Sequence, residues 1–351
     1  MAKAVNIGLS KKDKLMLISN LGTMLSSGIP IMEAVDAILE DNSGNQKKIL
    51  KVLKEDLNQG KTISESFARF PKAFDAVTVN LIKAAEKAGD LDTILKDLTV
   101  NIKKEMEFND KVKGALTYPI FVLIVFVGVL GVMLIFVIPR ISSVFKKLNV
   151  VLPLPTRVLI AVSDIVLKYT VPFLVGIGLL AVIFVFLFKT QKKRILNVFL
   201  SLPLISGLAR EIDLTRFNRS MALLLASGLP IVEALALAQD IVNKKQVLRA
   251  VELSKNAVSA GKNLSEGLRG AKKTIPGFMV RIIEAGERSG SLDKSMQELA
   301  DFFDEEVGNK LKTMSTLLEP IMLVVVGIMV GGMMMAIIAP IYGLIGNISS
   351  R

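Results

Sequence analysis

The chain has no cysteine and no histidine among its 351 residues. Without cysteine there is no disulfide, no thiolate ligand and no thiol nucleophile. Without histidine the commonest general base and metal ligand is missing, which weighs against an enzyme. Charge is also absent from three long stretches: Gly114 to Pro139, Tyr169 to Phe188 and Pro320 to Ser350. Each reaches or exceeds the roughly 20 apolar residues that cross a bilayer as a helix. None lies at the N-terminus, where Met1 to Lys14 is polar and basic, so none is expected to be a cleaved signal. Transporters and pumps usually place ionisable groups at membrane depth, and the lack of any there argues against a coupled transporter.

What is present is a mean hydropathy of +0.52 and a formal net charge of +12. In a soluble protein such a charge points to nucleic acid. Here basic residues flank apolar runs, as they do beside anionic lipid. No zinc-finger spacing or RNA-binding aromatic signature accompanies them, so no direct nucleic-acid contact is expected.

One stretch occurs twice. Ser27-Gly28-Ile29-Pro30-Ile31-Met32-Glu33-Ala34 returns as Ser227-Gly228-Leu229-Pro230-Ile231-Val232-Glu233-Ala234, an offset of 200 residues. The offset holds to within one residue downstream. Gly60-Lys-Thr-Ile-Ser-Glu65 pairs with Gly261-Lys-Asn-Leu-Ser-Glu266, and Ala84 to Asp92 pairs with Ala285 to Asp293. Leu116-Thr-Tyr-Pro119 pairs with Leu317-Leu-Glu-Pro320, and Pro139 with Pro340. A unit of roughly 120 to 140 residues has been duplicated.

Each unit reads as a series of about six helices without strands. Leu15, Ile18, Leu21, Gly22 and Leu25 have helical spacing that stops at Ser27-Gly28. Gly suits the left-handed position past a helix end, and Pro30 suits the first turn of the next helix. Glu33 falls near the positive end of that helix. The motif is therefore a helix-to-helix corner. Thr62-x-x-Glu65 has the form of a capping box, and Asn263-x-x-Glu266 keeps an N-cap residue with Glu three positions on. A further helix ends near Gly89 and, in the second copy, near Gly290.

These readings give an all-α polytopic membrane protein with two repeated six-helix bundles. Bundle one is expected over 1–113, a first span over 114–139, and a connector with an amphipathic helix over 140–168. A second span follows over 169–188, bundle two over 189–319, and a third span over 320–346. Two like bundles belong in one compartment, and each is followed by a span leaving it. An odd number of spans must then separate span one from bundle two, and span two supplies it. The cluster Lys189-Thr-Gln-Lys-Lys-Arg194 argues that this compartment is the cytoplasm.

Gly60-Lys61-Thr62 has the tail of a phosphate-binding loop, but the Gly required five positions earlier is Glu55, and no strand precedes it. Glu86 and Glu287 are candidates for paired acids. The favoured reading is a helix-end carboxylate that organises the following Gly turn or docks a partner. Asp90, Asp92 and Asp293 are explained by acidic capping. Gly327, Gly331 and Gly332 form a small-residue face in span three, suited to close packing within or between chains. The residues singled out as structural or partner-docking are Gly28, Pro30, Glu33, Glu86, Gly89, Gly228, Pro230, Glu233, Glu287 and Gly290. No catalytic, cofactor or metal site is expected.

Taken together these residues resemble the type II secretion system F family, inner-membrane platform proteins of type IV pilus assembly and type II secretion. The resemblance rests on both Ser-Gly-x-Pro corners, Phe217-Asn218-Arg219, Ala285 to Asp293, Leu152-Pro-Leu-Pro-Thr-Arg157 and Glu319-Pro320. It covers essentially the whole chain. The first copy departs from it, with Leu17-Ile-Ser-Asn-Leu21 where the family tends to have Phe-x-Arg-Gln-Leu, and with Ala85 and Ala88 where the second copy has Gly286 and Ser289. Much of the polar N-terminal extension of many members is also missing. The resemblance implies a non-enzymatic scaffold in the bacterial inner membrane. Its bundles would contact a hexameric assembly or secretion ATPase. Its membrane part would contact pilins or pseudopilins and other inner-membrane assembly proteins, in a homo-oligomer held in lipid. The alternative is a transporter or channel component.

Overall fold

The computed structural model describes residues 5–147, 157–158, 160–161, 163–165 and 203–349. Every regular element among these is helical. The first copy contains α1 (Lys11–Ser26), α2 (Ile31–Asp41), α3 (Gly44–Asn58), α4 (Ile63–Ala68), α5 (Ala76–Ala88) and α6 (Leu91–Val132). A π-helical turn over Met133–Val137 leads into α7 (Ile138–Lys147). The second copy contains α8 (Pro203–Ala226), α9 (Ile231–Gln239), α10 (Lys245–Ser259), α11 (Leu264–Arg269), α12 (Gly277–Ser289) and α13 (Leu292–Ser349). About half of the connector and all of the expected second span, 169–188, lie outside the described residues, as does the basic cluster 189–194.

Short polar caps start several of these helices. Ser10 accepts the Asp13 amide at 3.1 Å and Asp75 accepts the Thr78 amide at 2.8 Å, which satisfies donors that a helix start leaves orphaned. Thr62 and Glu65 make the full capping box at α4. Asn263 stands at the N-cap of α11, as its sequence position suggests, but makes no side-chain cap bond.

The chain divides into two compact units. One combines the first copy up to Lys111 with the second copy up to Gly308; the other takes in residues from Val112 and from Asn309 onward. In the first unit the apolar faces of α1–α6 and α8–α13 form one continuous core, from Leu17, Leu50 and Phe67 to Phe217, Leu264 and Phe303. Phe67 and Phe74 stack with ring centres 3.9 Å apart. Phe278 meets Phe302 edge-on at 4.9 Å. Burying a ring as fully as Phe67 and Phe74 are buried stabilises the fold by about 2–3 kcal/mol.

The second unit is made of the ends of the two long helices and the pieces beside them. α6 has 42 residues and α13 has 58, or about 63 and 87 Å at the usual rise. Leu91–Arg140 and Leu292–Gly332 are long and apolar enough to cross a membrane. Their apolar side chains point outward: Phe121, Ile124, Leu323 and Ile328 are all more than 60% exposed, a surface suited to lipid and not to water. α6 runs unbroken through Pro119, and α13 through Pro320 and Pro340. The helix carrying the first span does not stop at Pro139 either. It widens to the π turn at 133–137, where the Ile138 amide reaches the Met133 carbonyl, and continues as α7. Proline removes one amide and crowds the carbonyl four residues back, and a π turn takes up that misfit. Within this unit the Ser163 hydroxyl donates to the Leu134 carbonyl at 2.6 Å, and Ser315 donates to Ala115 at 3.2 Å.

Candidate functional site: two corners and a seam

The two corners have the same backbone. Gly28 lies at φ +80 and Gly228 at φ +75. The amide of Ile29 reaches the Met24 carbonyl at 3.0 Å, and that of Leu229 reaches Leu224 at 3.1 Å. This six-to-one bond closes a helix end in a Schellman turn, which needs the left-handed residue that Gly supplies without strain. Pro30 and Pro230 stand at the N-cap of α2 and α9, one position before the first helical residue. Glu33 and Glu233 occupy the first turn of those helices and are exposed.

The surroundings of the two corners differ. The second corner lies against α5 of the first copy: Gly228, Leu229, Pro230 and Glu233 line a shallow cavity of about 210 Å³ with Asn80, Lys83, Ala84 and Lys87. Leu229 is 8% exposed, and Ile29 is only half-buried.

Glu86 and Glu287 do something other than organise the Gly turn after them. Glu86 accepts the amides of Ile63 (2.5 Å) and Ser64 (3.3 Å), and the Ser64 hydroxyl as well. Glu287 accepts the amides of Leu264 (2.5 Å) and Ser265 (3.3 Å). Each carboxylate therefore caps a short helix more than 20 residues upstream and sits at its positive end. Gly89 and Gly290 end α5 and α12 in the left-handed region, at φ +75 and +68.

Lys61 is also accounted for. Its ammonium lies 2.6 Å from Asp56, which Arg69 contacts at 2.7 Å. Burial alone raises the Asp56 carboxyl, but the bonds from Lys61 and Arg69 outweigh it and hold it below 3.8. The phosphate-loop lookalike is a structural ion pair at the end of α3. A Cβ placed on Gly327, Gly331 or Gly332 meets no atom within 4 Å, so among the described residues no other segment packs closely on that face.

The seam between the copies was not foreseen. Arg219 of α8 is 4% exposed. Its guanidinium donates to Asp304 of α13 at 2.7 Å and lies 5.6 Å from the centre of the Phe108 ring on α6. Lys111 of α6 shares Asp304 at 2.8 Å, Lys104 reaches Asp301 at 3.3 Å, and Arg216 donates to Asn109 at 3.0 Å. Burial pushes the Asp304 carboxyl up, but its bonds to Lys111 and Arg219 prevail and leave it below the usual range. Among the described residues the Nε and Nη1 atoms of Arg219 have no hydrogen-bond partner, and a cleft of about 350 Å³ beside it is lined by Lys14, Asp75, Glu105, Arg216 and Asp240. Phe217-Asn218-Arg219 was visible in the sequence, but the residues it meets are more than 80 positions away. The first copy has Ser19 where the second has Arg219, so only one copy supplies the arginine of the seam.

Comparison with known families agrees with this duplicated architecture. The family described as type II secretion system (T2SS), protein F matches the chain twice, over residues 17–139 and 217–340. The chain belongs to this family. Among its relatives, the type IV pilus assembly protein PilC of Thermus thermophilus is 34% identical, with 99% of this chain and 86% of that protein aligned. PilC of Pseudomonas aeruginosa is 30% identical over 97% of this chain and 93% of its own length. The type II secretion system protein F of the same organism is 30% identical over 96% and 84%. The protein F family thus joins pilus-assembly and secretion proteins, and this chain aligns with both along almost its whole length. The corners, the Glu caps and Arg219 all fall inside the two matched stretches.

Proposed function

We propose that this chain is the inner-membrane platform of a type IV pilus or type II secretion machine, a scaffold without chemistry of its own. On this reading both six-helix bundles lie in the cytoplasm, at 1–113 and 189–319, and three helices cross the membrane at 114–139, 169–188 and 320–346. The bundles receive a hexameric assembly ATPase, and the membrane part meets pilins or pseudopilins, so that movement driven by the ATPase is passed to subunit polymerisation. The observation that carries the reading is the double family match, placed on two copies of one helical unit. α6 and α13 add support, because each continues without a break from a charged face into an apolar one.

The test is a clean deletion in the organism that carries the gene, with fibres and secreted proteins measured directly. We expect loss of fibres or of secretion, restored by the wild-type chain and not by Gly228→Asp or Pro230→Asp. Normal piliation and secretion in the clean deletion would overturn the proposal.

A further inference from the structure

The duplication produced two corners and two faces able to receive them, and among the described residues one such pair is joined. Inside the chain, the corner at Gly228–Glu233 rests on α5 around Ala84. Duplicated counterparts of both partners are open. At the first corner Ile29 is only half-buried, where its counterpart Leu229 is 8% exposed against α5. On α12, the positions matching Asn80, Ala84 and Lys87 are Arg281, Ala285 and Arg288. All three are exposed, and the Arg288 side chain is 77% exposed.

We propose that the first corner of one copy docks on the α12 face of a second copy around Ala285, repeating between chains the contact that the second corner makes with α5 within the chain. Three observations name a second copy of this chain as the occupant. The backbone of the free corner matches that of the engaged one, down to its left-handed Gly and its Schellman bond. The small residue at the centre of the receiving face, Ala84, is also alanine at 285. The charges match in sign: Glu233 lines the same cavity as Lys83 and Lys87 in the engaged pair, and Glu33 would meet Arg281 and Arg288. One position departs, with Glu284 where α5 has Lys83. Its carboxylate is already held by Arg269 and Arg288, which leaves the face positive overall.

A contact between two different patches is heterologous, and repeating it gives a ring or an open row of copies, not a closed two-fold dimer. The inference rests on the fold alone. It holds whether the machine builds a pilus or secretes, and its failure would leave the platform reading untouched.

The natural absence of cysteine makes the test direct. Two full-length single-cysteine chains, Pro30→Cys and Ala285→Cys, carry different tags, are co-expressed and are treated in membranes with a short bis-maleimide. The control chain carries Pro230→Cys and Ala84→Cys together and reports the engaged contact. We expect the control to cross-link within one chain and the mixed pair to give a product bearing both tags. Glu33→Lys in the Pro30→Cys chain should lower that product about fivefold, equivalent to roughly 1 kcal/mol. The proposal is overturned if the control cross-links and no two-tag product forms, or if the product joins position 30 to 30 or 285 to 285.

Discussion

Glu86 and Glu287 show how one side chain can hold a short element in place. A helix of six residues has too few internal bonds to persist alone, and α4 and α11 each have that length. The carboxylate from α5 or α12 supplies what they lack, by accepting the first two amides. We expect Glu287→Ala to leave those amides unpaired and to cost about 1–2 kcal/mol, with Glu287→Gln retaining part of the loss. Thermal melts of the detergent-solubilised chain followed by circular dichroism would show this, and an unchanged melt for Glu287→Ala would refute the capping role. Asp56 supports a pH prediction. Its folded pKa is lowered, because Lys61 and Arg69 outweigh the effect of burial. A lowered carboxylate contributes stability that is present above its unfolded value near 3.8 and is lost as pH falls through the lower folded value. Asp56→Asn should therefore be less stable than wild type at pH 7, and the gap should shrink as pH drops below 3.8. A gap that stays constant down to pH 2.5 would contradict the assignment. Sequence reasoning found both glutamates because they are repeated. It missed what they bind, because a carboxylate's partner 22 or 23 residues upstream leaves no local pattern.

At the scale of elements, the features set by backbone geometry were the legible ones. Gly28, Gly89, Gly228 and Gly290 mark helix ends because only Gly enters the left-handed region without strain, and all four have positive φ. Substituting Asp at Gly228 forces a side chain into that region at a cost of about 1–2 kcal/mol, although its Cβ would meet no atom within 4 Å. The helices through Pro119, Pro320 and Pro340 were less legible. Proline is a stop signal in water, whereas in an apolar setting the chain keeps its helix and satisfies the freed groups locally. Helix-to-helix distance was not legible at all. The sequence shows Gly286 only as a departure from Ala85. In the fold, a Cβ at 286 would lie 2.8 Å from the Ser295 Cβ and 3.1 Å from the Leu292 Cα. Gly286→Ala should therefore cost about 1–3 kcal/mol through overpacking, despite the better helix propensity of alanine. Ala85→Gly in the first copy should cost about 1 kcal/mol, mostly in helix propensity. Equal melting temperatures for Gly286→Ala and wild type would show that α12 and α13 can part there freely.

For the molecule as a whole, the question is what joins the two copies, and Arg219 is the central residue. It touches all three helices of the seam: its own α8, α6 through Phe108, and α13 through Asp304. α6 and α13 are also the helices that lead into the apolar stretches. A charge this well buried is costly to leave unpaired, so removing one partner should have a large effect, and removing an exposed pair a small one. Arg219→Ala should cost roughly 3 kcal/mol, because Asp304 then keeps only Lys111. Arg219→Lys keeps the charge without the planar fork and should fall between that variant and wild type. Lys104→Ala removes an exposed pair with Asp301 and should change stability by about 0–1 kcal/mol. All three are compared by thermal melts of the full-length chain, with protease cutting in the loops around the seam as a second readout. If Arg219→Ala melts and resists protease like Lys104→Ala, the copies are held by their shared apolar core, and the charged seam contributes little. If it melts early and is cut faster, the arginine that the second copy has, and that the first replaces with Ser19, holds the duplicated halves together.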